Sequence, residues 1–349
     1  MSSTTISSSS SALSSPSEII DVYSSNFIYE IKRISNLLET FPYIGMDTEF
    51  PGCVYALNEF TPDFYYKSIK LNVNQLKLIQ LGITLCDAKG NFPKGTHTWQ
   101  FNFKFDFQKD KITPESYSLL QSSGIDFVKI RKEGIPYHIF AEYIMTSGLV
   151  LNEDVHWISF HGSYDFAYLL RMLLNSNLPE TEEEFIQELE LYFPNHYDMK
   201  VISQHINDNL NGGLNRIAQY YKIQRIGEVH QAGSDAYVTI GIFNKAKGNE
   251  QEVIDTCHNV LFGIGLGADD NETIQYTKFA NVQGIVNQYM YGLPFQNISQ
   301  GNFQMTVGGP YFFENPMLCI SQNNNCANNI KLNQPNCNNS YKVYQMKHI

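Results

Sequence analysis

The chain has 349 residues, 43% hydrophobic and 17% charged, which suits one large domain or two smaller ones with a packed core. A net charge of -11 argues against a protein that grips nucleic acid mainly through a basic surface, but leaves room for a metal-lined cleft holding a strand end. A mean hydropathy of -0.27, with no long apolar run, excludes a membrane span.

Residues 1–18 form a Ser-rich head without the basic and apolar regions of a secretory signal, and the first arginine is Arg33; the head is expected to be disordered. From Ser17 to Thr40 the apolar residues Ile20, Val22, Ile28, Ile31, Ile34, Leu37 and Leu38 fall at helical spacing and predict a lead-in helix. FPYIGMDTEFPG (Phe41 to Gly52) then reads as a strand that Pro51 and Gly52 terminate. Two further strands are expected over Leu76 to Cys86 and His97 to Phe107. In the second, Trp99, Phe101, Phe103, Phe105 and Phe107 alternate with polar residues, the period of an antiparallel strand.

The pattern then becomes helical. Helices are predicted over Ser116 to Ser122 and Tyr137 to Ser147, each running into a glycine. VHWISF (Val155 to Phe160) reads as a short buried strand followed directly by a helix with Asp165 in its first turn. An acidic helix follows Pro179, Tyr197 to Ile202 reads as a last short strand, and Leu214 to Tyr221 as a helix. A final helix runs from Ser234 to Lys247. Three antiparallel strands, then helices alternating with short strands, describe a mixed α/β sheet with helices on its faces. Residues 268–349 are read as an Asn-rich, weakly ordered extension, and 19–267 as the folded domain. The six cysteines (Cys53, Cys86, Cys257, Cys319, Cys326 and Cys337) have no C-x-x-C spacing and suit a reduced, cytosolic or nuclear protein.

The chemistry starts at Asp47 and Glu49. Residues two apart on a strand share a face, with alpha carbons roughly 7 Å apart, and two acids there repel unless a cation sits between them. Carboxylate oxygen is what Mg²⁺ and Mn²⁺ select. Alone, such a pair reads as a solvated strand end, Asp165 and Asp235 as helix-start residues, and His230 as a surface loop histidine. Asp198 is read as structural. Together, four carboxylates from one strand and two helix starts converge on one sheet edge, and their charge balances two divalent cations. Two metals about 3.5–4 Å apart activate a water and stabilise a leaving oxygen in phosphodiester hydrolysis. Histidine, with an ordinary pKa near about 6.5, suits acceptance of the water's proton, which makes His230 the candidate base.

The motifs MDTEFPG, WQFNFKF, SGIDF, TSGLVL, FHGSYDFAYLL, GGL and HQAGSD, in this order, resemble the CAF-one/POP-two deadenylase family, across roughly Ile19 to Gly267. That resemblance implies an RNase H-like fold of the DEDD exonuclease type, dependence on two Mg²⁺ or Mn²⁺ ions, and 3′-to-5′ removal of adenylates as AMP. It places the metal ligands on Asp47, Glu49, Asp165 and Asp235 and the histidine of the DEDDh subtype on His230. The partners it implies are poly(A) RNA, a CCR–NOT scaffold subunit and a second deadenylase subunit, with no membrane. The sequence departs from the family's usual order around FHGSYDFAYLL and after GSD, at positions that carry no ligand. Two rival readings stay open: a catalytically silent scaffold of the same fold, and a DNA-proofreading or small-RNA exonuclease with the same metal chemistry.

Overall fold

Strand β2 (Tyr43–Glu49) lies inside a six-stranded sheet of order β1 (Ile19–Val22), β4 (Thr98–Asn102), β3 (Gln80–Cys86), β2, β5 (His156–Ser159), β6 (Asn195–Asp198). The structure is a computed structural model that describes residues 19–57, 63–207 and 210–265. The Ser-rich head, the boundary at 267 and the Asn-rich extension lie outside the described residues. β2, β3 and β4 pair antiparallel as expected, while β1 joins β4, and β5 and β6 join β2, in parallel. The helices are α1 (Phe27–Leu37), α2 (Phe64–Gln75), α3 (Pro114–Ser122), α4 (Phe127–Glu133), α5 (Tyr137–Met145), α6 (Ser163–Leu174), α7 (Glu182–Tyr192), α8 (Met199–Ile206), α9 (Leu214–Tyr220), α10 (Ala232–Lys247) and α11 (Gln251–Thr256). This is a mixed sheet with flanking helices, the RNase H-like arrangement. Among the described residues no helix is long and apolar enough to cross a membrane.

The two sheet faces differ in chemistry. On one, Phe101 packs edge-on to Phe27 of α1 and Phe140 of α5, and Trp99 donates its indole N–H to buried Glu30 at 2.8 Å. On the other lies α10, crossing β2 and β3. It comes close enough that a Cβ on Gly45 would sit 2.6 Å from the carbonyl oxygen of Ala236, and one on Gly82 would sit 1.9 Å from that of Ala232. Only glycine admits a helix backbone at that distance. The polar positions of β4 therefore face no solvent: Gln100 is 4% and Asn102 2% exposed.

The expected lead-in helix is shorter than the apolar spacing implied. Ile20 and Val22 also satisfy a period of two, and residues 19–22 pair with β4 as a parallel edge strand, Ile19 opposite Thr98 and Val22 opposite Phe101. Asn26 then accepts the Tyr23 N–H at 2.8 Å and turns the chain into α1. The strand expected at Tyr197 to Ile202 ends at Asp198, which caps α8 by accepting the Lys200 N–H at 2.9 Å. The helix from Ser234 begins two residues earlier and is followed by α11, so it is not the last. β3 and β4 are shorter than expected, and α2 and α4 add helices the apolar pattern did not announce.

A Cβ at Gly82 has no room against the Ala232 backbone, so Gly82→Ala is expected to push the start of α10 off the sheet. Overpacking of a buried contact costs about 1–3 kcal/mol. The melting temperature should drop; a variant that melts like the parent would show that the approach is not required.

Candidate active site

Asp47 and Glu49 extend from β2 on the face that α10 covers, opposite Gly82 and Gln80 of β3. Thr48, on the other face, donates its hydroxyl to Asp165 Oδ1 at 2.6 Å. Asp165 is the third residue of α6, which starts where β5 ends beside β2. Asp235 is the fourth residue of α10, and His230 lies two residues before that helix. The strand end and the two helix starts thus meet at the end of the sheet where the interior strand β2 terminates. The metal-ligating atoms of Glu49, His230 and Asp235 lie within 4.8 Å of one another, with His230 exposed and Asp235 buried.

Each helix start is held by more than its own sequence. His161 and His230 both have left-handed backbone, φ 65° and 61°, and each precedes a helix by two residues. Such conformations persist only where surrounding contacts fix them. At α6 the fixing group is Asp198, whose buried carboxylate accepts the backbone N–H groups of His161 (2.6 Å), Gly162 (3.0 Å), Lys200 (2.9 Å) and Phe262 (3.1 Å). At α10 the His230 N–H donates to Asp235 Oδ2 at 3.2 Å.

The N-cap of α10, Gln231, makes no capping bond with its side chain; strand glutamines take that role from below. The Ala232 N–H donates to Gln80 Oε1 at 2.9 Å and the Gly233 N–H to Gln100 Oε1 at 3.0 Å. Those N–H groups have no partner inside the helix, so the sheet satisfies them and fixes the helix over the carboxylates. Gln80 in turn donates to Asn102 Oδ1 at 2.8 Å, and Gln100 and Asn102 each donate to Asp21 Oδ1 at 3.1 Å.

The electrostatics are those of crowded like charges. Burial, followed by the charges of Asp235 and Asp165, holds the Asp47 and Glu49 carboxyls well above the usual carboxylate range. Asp165 is pushed up to about 7, chiefly by burial, against the lowering effect of the Thr48 hydroxyl. Arg225 opposes the trend: its guanidinium pairs with Asp235 Oδ1, and its charge draws Asp47 down. An oxygen-rich site with excess negative charge fits hard divalent ions, and Glu49 and Asp235, with His230, offer ligand atoms close enough to share one.

Of the five residues singled out from sequence, Glu49, His230 and Asp235 bring ligand atoms within 4.8 Å of one another, while Asp47 and Asp165 lie near enough for their charges to act on that cluster. Thr48, Gln80, Gln100, Asn102 and Arg225 had not been singled out. Uncharged polar side chains on alternate positions of otherwise apolar strands were the available signal for Gln80, Gln100 and Asn102. Arg225 gave no signal, because a lone cation in a loop is ordinary.

The family model for the CAF1 family ribonuclease matches residues 22–144 and 147–243. The chain belongs to the CAF1 ribonuclease family. It is 44% identical over 254 residues to the poly(A) ribonuclease pop2 of Schizosaccharomyces pombe, covering 71% of this chain and 76% of that protein. Among solved structures it is similar to S. pombe Pop2p in its Mg²⁺- and Mn²⁺-bound form, with TM-score 0.68, 44% identity and coverage of 71% of this chain and 100% of that one. It is also similar to a chain in the structure of the yeast NOT1 MIF4G domain co-crystallised with CAF1, with TM-score 0.61, 29% identity and coverage of 70% and 96%. In this CAF1 family member the ends of β2, α6 and α10 bring the acidic side chains of Asp47, Glu49, Asp165 and Asp235 near one another.

Raised carboxyl pKa values have a defined sign in stability. Between the ordinary carboxylate value near about 4 and the raised values, the folded chain holds more protons than the unfolded one. Stability of the metal-stripped protein should therefore decline as pH rises through that window, with Asp165 contributing up to about 7. Melting curves in chelator across about pH 5 to 8 should show this decline, and added Mg²⁺ should flatten it. A metal-free melting temperature that rises with pH would mean the carboxylates are not crowded together.

Proposed function

We propose that this chain is a metal-dependent 3′-to-5′ exoribonuclease that shortens mRNA poly(A) tails, releasing AMP, as the catalytic subunit of a CCR–NOT-like complex. The observation that carries this reading is the meeting of Asp47, Glu49, Asp165 and Asp235 with His230 at the end of the sheet where β2 terminates. Membership of the CAF1 ribonuclease family supports it, as do the pop2 relative's poly(A) ribonuclease activity and the Mg²⁺ and Mn²⁺ bound to Pop2p. The yeast structure with NOT1 supports a scaffold subunit as partner, and a second deadenylase subunit is part of the same reading. A silent scaffold would not need these five side chains, and all five are present in the chain.

Asp47, Glu49, Asp165 and Asp235 would hold two divalent cations, Mg²⁺ or Mn²⁺. When bound, such ions supply Lewis-acid stabilisation of the attacking and leaving oxygens in phosphodiester hydrolysis. His230 is exposed beside the carboxylates and takes the proton of the attacking water. Asp235 holds the His230 backbone, so ligand and base move as one unit. Thr48 orients Asp165 at the end of the sheet.

Purified full-length chain incubated with RNAs ending in 3′ poly(A) or 3′ poly(U) tests the reading directly. Stepwise shortening of the poly(A) substrate with AMP release is expected in Mg²⁺ or Mn²⁺, with little loss of poly(U) and none of either in excess EDTA. Degradation that continues in excess EDTA, or intact poly(A) with both metals, would sink it.

The roles of Asp235 and His230 separate in the same assay. Asp235→Ala should weaken Mn²⁺ binding and turnover together. His230→Ala should bind Mn²⁺ with near-parent affinity while turnover falls by roughly 10²–10⁴-fold, the range of general-base catalysis. Because the His230 imidazole lies within reach of the same atoms as Glu49 and Asp235, a large loss of Mn²⁺ affinity in His230→Ala would make it a ligand instead.

A further inference from the structure

Arg225 lies between α9 and α10, and its side chain is 17% exposed beside an Asp235 side chain that is 9% exposed. One guanidinium nitrogen donates to Asp235 Oδ1 and, at 2.9 Å, to the Ser234 hydroxyl; another donates to Asn215 Oδ1 of α9 at 2.7 Å. The planar group is thus fixed on α9 and α10 and aimed at the carboxylate cluster, as a rigid donor fork allows and a lysine would not. Its charge reaches Asp47 as well, where it works against three acidic neighbours.

We propose that Arg225 is the built-in counter-cation of this site and competes with the divalent ion that Asp235 helps to hold. The inference rests on the metal-binding reading above. In the metal-free protein, guanidinium charge offsets part of the repulsion among Asp47, Glu49, Asp165 and Asp235. A divalent ion held by Glu49 and Asp235 would meet an aspartate whose Oδ1 is already paired with Arg225 and whose Oδ2 accepts the His230 N–H. Each carboxylate oxygen has a second acceptor direction, so the ion and Arg225 share Asp235 at the cost of repulsion between the two cations. Arg225 therefore stabilises the empty site and weakens metal binding, which keeps the ion exchangeable.

The test is Mn²⁺ binding to purified full-length chain without RNA, followed by the electron paramagnetic resonance signal of free Mn²⁺, with melting curves in chelator beside it. Arg225→Gln removes the charge and keeps hydrogen-bonding capacity toward Ser234 and Asn215. It should bind Mn²⁺ more tightly, by roughly 5- to 150-fold, the usual span of coupling between sites, and melt lower without metal. Arg225→Lys keeps the charge but not the fixed fork, and its Mn²⁺ affinity should fall between those of the parent and Arg225→Gln. Asn215→Ala, at an exposed position, loosens the guanidinium without touching the carboxylates and should tighten Mn²⁺ binding by a smaller factor, giving a readout even where Arg225→Gln fails to fold. Unchanged or weaker Mn²⁺ binding in the folded charge-removing variant and in Asn215→Ala would overturn the proposal and leave Arg225 as a strut between α9 and α10. Failure of the metal reading is separate: the parent itself would then bind no Mn²⁺, and both inferences fall together. Loss of poly(A) shortening with Mn²⁺ binding and its Arg225 dependence intact would overturn only the proposed activity.

Discussion

The contact between the backbone of α10 and the bare surface of β2 and β3 governs the rest of the molecule. Gly45 and Gly82 remove the side chains that would hold the helix away, and Gln80 and Gln100 satisfy its first N–H groups from the sheet. An unpaired buried N–H is costly, so these bonds set both the height and the rotation of the helix start. Asp235 and His230 inherit their positions from that docking. Were α10 to ride a side chain higher, the same residues would be present without meeting Asp47 and Glu49.

This geometry concentrates negative charge, which a folded chain tolerates only with compensation. Three devices share the task. Thr48 donates to Asp165, Arg225 pairs with Asp235, and burial holds the Asp47 and Glu49 carboxyls above the usual carboxylate range. Asp198 is a contrasting case of the same residue type. Four backbone N–H groups surround it, so it serves as an anchor for the turn into α6 rather than as a group open to ligand.

The opposite sheet face explains why such a site is affordable. Phe101 and Phe103 pack edge-on to Phe140, Phe101 edge-on to Phe27, and Phe27 tilted against Phe140, with Trp99 in the same apolar core. Aromatic burial of this kind dominates core energetics. The α10 side adds Val238, Ile240, Ile242 and Phe243 to the same core, and only the start of that helix carries the hydrogen-bonded polar groups whose value is positional.

Local sequence determined much of this directly. The period of two in WQFNFKF announced a strand, the spacing in MDTE put Asp47 and Glu49 on one face, and the runs after VHWISF and HQAG announced the helices that carry Asp165 and Asp235. Ordered motifs announced the family. Local pattern could not decide between strand and helix for residues 19–22, because four residues satisfy either period and their pairing with β4, nearly eighty residues away, made the choice. Nor could it show that the polar side of β4 faces a helix rather than water, that Thr48 reaches Asp165 across 117 residues, or that Gln80 caps a helix 152 residues later. Arg225 is the sharpest instance: its meaning comes wholly from the carboxylates around it. Periodicity encodes which residues share a face, but which faces meet is settled only when the chain closes over long loops and buried polar groups find their partners.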